Sequence, residues 1–143
     1  HQGITALCPN SNVQSSQRKL VGDLMAAIGE IAWLEEEGLM DAVTAVSGSG
    51  PAYVFLLIEG LTEAGIEVGL EGELARQFAK ATVAGAGAYA AQTEGDVAEL
   101  RQQVTSPGGT TTAALEILMA DDVFKSLLKQ AVRAATDRGH KLA

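Results

Sequence analysis

The 143 residues are 47% hydrophobic and 20% charged, which is enough apolar material for one domain with a core and too much for a disordered chain. The net charge is −8, and no basic cluster is denser than the scattered Arg133, Arg138 and Lys141. That balance excludes a nucleic-acid or anionic-membrane surface as the expected partner, and any bound anion must be held by local groups.

In chain order, Ile4 to Cys8 is a short β-prone segment, followed by an amphipathic stretch that opens at Ser15-Ser16. That stretch places Leu20, Leu24, Ala27 and Ile28 on one helical face, with Gly29 as its stop. Glu30 to Leu34 is a second β-prone segment. Two strands alone make no stable sheet, so residues 1–36 read as the trailing edge of a sheet whose other strands lie elsewhere. His1-Gln2-Gly3, with no initiator Met and no signal pattern, reads as the start of a piece of something longer. Cys8 is the single cysteine; it allows neither an internal disulfide nor a cysteine-based metal site, and reads as a buried thiol in a reducing, cytoplasmic setting.

From Glu37 the alternation ends and helix-length segments follow one another. The first runs from about Leu39 to Val46 and is expected to stop at Ser47-Gly48-Ser49-Gly50-Pro51, where Ser49 caps the next helix and Pro51 occupies its first turn. That next helix reaches about Glu67. Its apolar run from Ala52 to Ile58 stops at Glu59, short of the ~20 residues of a membrane span. A third helix is expected over Gly72 to Gln92, with Ala81, Ala84, Gly85, Ala88 and Ala91 forming a small-residue seam that another helix can approach closely. Asp96, with Glu99 three residues on, has capping-box spacing for a short fourth helix. A fifth, Ala113 to Met119, follows a Pro-Gly-Gly turn. After Ala120-Asp121-Asp122 a last helix carries Val123, Leu127, Leu128, Ala131 and Ala135 on one side. The fold class expected is mainly α: a helical bundle preceded by a β-α-β piece.

Val104-Thr105-Ser106-Pro107-Gly108-Gly109-Thr110-Thr111-Thr112 is the most informative stretch. Two glycines, several hydroxyls and the positive end of a helix make either an anion site or a plainly capped helix start. With so little basic charge nearby, the anion that fits is a small carboxylate rather than a polyphosphate. Glu94, at the exit of the Ala/Gly-rich helix, is either a solvated loop carboxylate or a group that converges on this turn, within the chain or across a dimer. Ser47-Gly48-Ser49-Gly50 is not G-x-G-x-x-G and does not follow a strand, so it is no dinucleotide loop. His140 has no second ligand at metal spacing and reads as a C-terminal helix residue, and no metal is expected.

Asp41 to Leu61 (DAVTAVSGSGPAYVFLLIEGL) and Leu100 to Thr111 (LRQQVTSPGGTT), together with GITALCPN and GEIAWLEEE near the start, resemble pyrroline-5-carboxylate reductases over essentially the whole chain. The resemblance implies a parent enzyme that reduces 1-pyrroline-5-carboxylate to L-proline with NADPH or NADH. Residues 1–36 would be the C-terminal end of its Rossmann-like dinucleotide-binding domain, and residues 37–143 its helical dimerisation and substrate-site domain. It implies that Ser106, Pro107, Gly108, Gly109 and Thr110 surround the substrate carboxylate and that Thr111 hydrogen-bonds the ring nitrogen, as proton donor or as positioning group. Glu94 would orient the ring or relay protons, from either protomer, and Gln103 would lie on the nicotinamide side. No strand followed by G-x-G-x-x-G is present to seat a pyrophosphate, so no cofactor is expected on this chain alone, which by itself would be inactive. The partners implied are a second copy, in a homodimer or a larger oligomer, and the imino acid and proline. The other readings are a stand-alone helical carboxylate-binding or assembly module, and the equivalent domain of a different nicotinamide-dependent oxidoreductase, against which the Ser106-Pro107-Gly108-Gly109 turn argues.

Overall fold

The computed structural model describes residues 3–142. Strand β1 (Ile4–Leu7) and strand β2 (Glu30–Trp33) pair in parallel, Ile4 opposite Glu30 and Leu7 opposite Trp33. The crossover between them is helix α1 (Ser15–Ala26). The chain is mainly helical thereafter, as expected: α2 (Met40–Val43), α3 (Gly50–Glu67), α4 (Gly72–Gln92), α5 (Val97–Gln103), α6 (Thr110–Met119) and α7 (Val123–His140). It forms two compact units, one of His1–Gly50 with Gln130–Ala143 and one of Pro51–Lys129.

In the first unit α1 meets the sheet through a glycine rather than through its leucines. Gly22 is buried, and a Cβ there would stand 3.4 Å from the Trp33 ring. The Arg18 guanidinium sits 4.4 Å from the centre of that ring and pairs with Glu35 at 3.3 Å. Leu20, Leu24 and Ile28 face outward, each about 60% exposed. Ala27 and Ile28 lie past the helix end, and Gly29 does not stop the helix. Its task is close approach, because a Cβ at Gly29 would run into the Gly3 carbonyl, and Glu30 N–H donates to that same oxygen at 2.9 Å. At the other end of the unit Gly139 leaves room for the Asp41 side chain, whose Oδ2 lies 3.4 Å from His140 Nε2.

The expected break at Ser47–Pro51 is absent. A single π turn, Thr44–Gly48, joins α2 to α3, with Ser49 N–H donating to the Thr44 carbonyl at 2.8 Å and Ser49 itself in helical conformation. Pro51 has no N–H and its ring crowds the preceding turn, and widening that turn by one residue lets the helix continue. Helix therefore runs unbroken from Glu37 to Glu67, 31 residues with a mean hydropathy of 1.3 over the apolar part. That is long and apolar enough to cross a membrane, contrary to the sequence expectation, which counted two shorter helices.

In the second unit α3 ends on a Schellman motif. Gly69 takes a φ of +104°, Leu70 N–H reaches the Gly65 carbonyl and Gly69 N–H the Ile66 carbonyl, both at 3.0 Å, so the orphan carbonyls are satisfied and the chain reverses. The hairpin closes where a Cβ on Gly65 would touch that of Ala75 at 3.3 Å. Glu71 caps α4, its Oε2 accepting from Glu73 N–H at 2.9 Å and Leu74 N–H at 3.1 Å. Asp96 caps α5 through Ala98 N–H at 2.8 Å. Asp121 and Asp122 take φ values of 50° and 53° between α6 and α7, and Asp122 pairs with Lys129 at 3.0 Å.

The buried apolar residues among those described are Ala45, Ala75, Ala79 and Leu100, and no large side chain is fully buried. Leu56 is 67% exposed and Ile117 77%, with Phe55, Phe78 and Leu127 also outward. The small-residue seam of α4 is open too: Ala81, Ala84, Gly85, Ala88 and Ala91 are exposed, so no described helix of the same chain lies on it.

The two backbone N–H groups on the Glu71 carboxylate hold its pKa below the ordinary value of 4.5. A lowered folded-state pKa means that the cap is at full strength above the ordinary carboxylate range and is lost as pH falls through the lowered value. Glu71→Ala is expected to lower the melting temperature by a few degrees at pH 7. Thermal melts by circular dichroism should show that difference shrinking as pH drops below about 4.

Candidate functional site

The turn between α5 and α6 is built from the chain's own hydrogen bonds. Leu100 anchors α5 in the interior. At the end of that helix Thr105 Oγ1 donates to the Arg101 carbonyl at 2.6 Å and Thr105 N–H to the Gln102 carbonyl at 3.0 Å. The next four residues reverse direction as a Pro-Gly turn: Pro107 supplies its fixed φ, and Gly108 takes φ +68°, a left-handed value that a side chain resists. Gly109 N–H donates to the Ser106 carbonyl at 3.0 Å, and Thr112 Oγ1 donates to the same oxygen at 2.8 Å. A Cβ on Gly109 would press on that carbonyl at 3.1 Å, so the second glycine serves the closeness of the turn.

α6 then begins at Thr110, with Gly109 as its N-cap and no side chain capping it. This is three residues earlier than the expected Ala113, and it makes all three threonines the first helical turn. The N–H groups of Thr110, Thr111 and Thr112 have no partner among the described residues, and the positive end of a ten-residue helix stands behind them. Ser106, Pro107, Gly108, Thr110 and Thr111 are exposed, while Gly109 and Thr112 are half-buried. The turn offers hydroxyls and amide donors around an open helix end, with no Lys or Arg between Val104 and Thr112. Donors of this kind are the type that pairs with the oxygens of a small anion.

The structure gathers Ser106, Pro107, Gly108, Gly109, Thr110 and Thr111 in this one turn. Glu94 lies in the exposed connector after α4 and makes no hydrogen bond or ion pair among the described residues. Gln103 is the last residue of α5, and its Oε1 accepts from the Tyr89 hydroxyl at 3.1 Å. Tyr89 and the Thr112 clamp on Ser106 carry no such role in the sequence reading. Both act across a loop, at separations of fourteen and six residues, where neither helical nor strand periodicity gives a signal. Among the described residues no group of three or more His, Cys, Asp and Glu is placed to hold a metal ion.

The family described as pyrroline-5-carboxylate reductase dimerisation matches residues 37–142. The chain belongs to that family. The pyrroline-5-carboxylate reductase of Pseudomonas aeruginosa is 45% identical over 142 residues, which are 99% of this chain and 52% of that protein. The Synechocystis enzyme of the same name is 41% identical over 140 residues, 98% of this chain and 52% of its own length. Among solved structures, the Coxiella burnetii pyrroline-5-carboxylate reductase superposes with a TM-score of 0.92 at 40% identity, covering 98% of this chain and 52% of that one. The Plasmodium falciparum pyrroline carboxylate reductase, solved with NADP bound, gives 0.79 at 36% identity, over 94% of this chain and 51% of its own. The chain thus spans about half the length of its reductase relatives, and the family match begins where the β-α-β piece ends.

The strain at Gly108 sets a test of the turn. Gly108→Val should destabilise the protein by about 1–2 kcal/mol, because a β-branched residue resists left-handed φ, whereas Gly108→Asn should cost less. Thr112→Val, which removes the bond to Ser106, should cost about 1 kcal/mol. Urea unfolding of the three variants measures all of this, and equal midpoints for Gly108→Val and Gly108→Asn would contradict the strain argument.

Proposed function

We propose that the protein to which this chain belongs reduces 1-pyrroline-5-carboxylate to L-proline with NADPH or NADH, and that this chain supplies the substrate-carboxylate site and the dimer surface. The observation that carries the reading is the open N-terminus of α6. It offers unpaired N–H groups beside the Ser106 hydroxyl in a chain of net charge −8, a site shaped for one small carboxylate. Residues 1–36 then form the end of the dinucleotide-binding domain and residues 37–143 the helical domain, a division supported by the family match from residue 37.

On this reading the substrate carboxylate accepts from the Ser106 hydroxyl and from the N–H groups of Gly108 and Thr110. Gly109, whose own N–H is given to Ser106, contributes the missing side chain that lets the ligand and the turn come close. Pro107 fixes the turn. With the carboxylate held at the helix end, the Thr111 hydroxyl meets the ring nitrogen. That fixes which face and which carbon of the imine are presented, so the site works chiefly by orientation. The reduced nicotinamide supplies the hydride to the imine carbon, and the nitrogen gains a proton. Glu94, from either protomer, orients the ring or relays that proton. The donors here suit the neutral nicotinamide end of the dinucleotide, approached from the Gln103 side. This chain has no strand followed by G-x-G-x-x-G for the pyrophosphate.

A second copy covers the exposed apolar faces of α3, α4 and α6. Burying a large apolar side chain contributes about 1.5–3 kcal/mol, and the Ala/Gly seam of α4 lets a partner helix come near. The same cover accounts for the long apolar helix without a membrane, since Glu59, Glu63 and Glu67 lie along it. A cytoplasmic location, with Cys8 free, accompanies this reading.

In the full-length enzyme Thr111→Ala should lower kcat by at least ~10-fold through loss of a hydrogen bond made in the transition state; unchanged steady-state kinetics would remove Thr111 from the mechanism. Ala84→Leu should overpack the seam and shift the protein from dimer towards monomer. Light scattering reads the mass directly, and a wild-type chain that is monomeric at micromolar concentration would overturn the dimer.

A further inference from the structure

The Tyr89 hydroxyl, on the last turn of α4, donates to Gln103 Oε1 at 3.1 Å across the connector that carries Glu94. A glutamine amide has one acceptor oxygen and two N–H donors on its nitrogen. The amide oxygen is the better acceptor of the two groups, so the phenol donates and the amide is turned with Nε2 away from it. Nε2 has no partner among the described residues, and Gln103 stands three residues ahead of Ser106. On an exposed side chain with three free torsions, the bond from the Tyr89 hydroxyl favours the orientation in which Oε1 faces Tyr89 and the Nε2 donors face away from it.

We propose that Tyr89 is a positioning residue for the nicotinamide ring: by holding Gln103 Oε1 it aims the Gln103 Nε2 donors at the carbonyl oxygen of the nicotinamide carboxamide. A neutral amide donor matches a neutral carbonyl oxygen, while the charged carboxylate of the other substrate is already matched by the end of α6. The gain is preorganisation: the torsional freedom of Gln103 is spent in folding rather than in binding. This rests on the reading, given above, that Gln103 faces the nicotinamide.

The test uses the full-length enzyme as wild type, Tyr89→Phe, Gln103→Glu and the double variant. NADPH affinity is measured by fluorescence titration without imino acid, alongside KM for each substrate, kcat and melting temperature. Tyr89→Phe keeps the ring and loses only the O–H; it is expected to weaken NADPH binding about 3- to 10-fold, the worth of one neutral hydrogen bond, with KM for the imino acid unchanged. Gln103→Glu offers no donor to the carboxamide and should weaken NADPH at least as much, and adding Tyr89→Phe to it should cost nothing further. An unchanged NADPH affinity in Tyr89→Phe with a lowered melting temperature would reduce the contact to a structural clip and overturn the proposal, as would a rise in KM confined to the imino acid. A wild-type enzyme that neither binds NADPH nor reduces the imino acid would instead remove the functional reading and this proposal with it.

Discussion

Burial is the constraint from which the rest of this chain follows. Nearly half the residues are hydrophobic, yet among the described residues the buried apolar side chains are three alanines and one leucine, and Phe55, Leu56, Phe78 and Leu118 face outward. Folding must offset the entropy of ordering more than a hundred residues, and four small buried groups fall far short of that. The helices therefore need a surface that they do not supply to each other. The second copy proposed above, laid along α3 and α4, would provide one, and it would make folding and association a single event whose midpoint depends on concentration.

The site inherits its character from that economy. α6 has few neighbours to fix it, so the turn before it is held by local means: the Ser106 carbonyl takes two donors, Gly108 sits at positive φ, and Leu100 pins α5 inside. Local bonds use up the N–H of Gly109 and the hydroxyl of Thr112. What they leave over, the hydroxyls of Ser106 and Thr111 and the first amides of α6, is the chemistry available to a ligand.

Much of this was legible in the residues, and the parts that were not have physical reasons. Gly72 to Gln92 reads as one helix because nothing inside it breaks the pattern, and the turn announces itself through Pro-Gly-Gly between an apolar helix and a capped one. Ser47 to Pro51 misleads, since serine, glycine and proline together usually end a helix, whereas one lost ladder bond can be absorbed by a wider turn. Leu20 and Leu24 do lie on α1, but Ile28 falls past its end, and the spacing says nothing of what the helix packs with; the sheet takes Gly22 instead, beside the Trp33 ring. Tyr89 and Thr112 escape detection for the same reason as most tertiary partners: their meeting is decided by how a loop folds, which no spacing rule encodes.

The π turn at Thr44–Gly48 stores one residue of slack within a continuous helix. Each residue advances an α-helix by about 100°, and a turn that takes up one residue too many keeps that offset to itself instead of passing it along the helix. Deleting a single residue between Ser47 and Gly50 would let the wide turn close to an ordinary α turn, making the ladder regular at the place where the Pro51 ring tolerates it least. The SGSGP stretch is thus spare length held where a helix would otherwise kink.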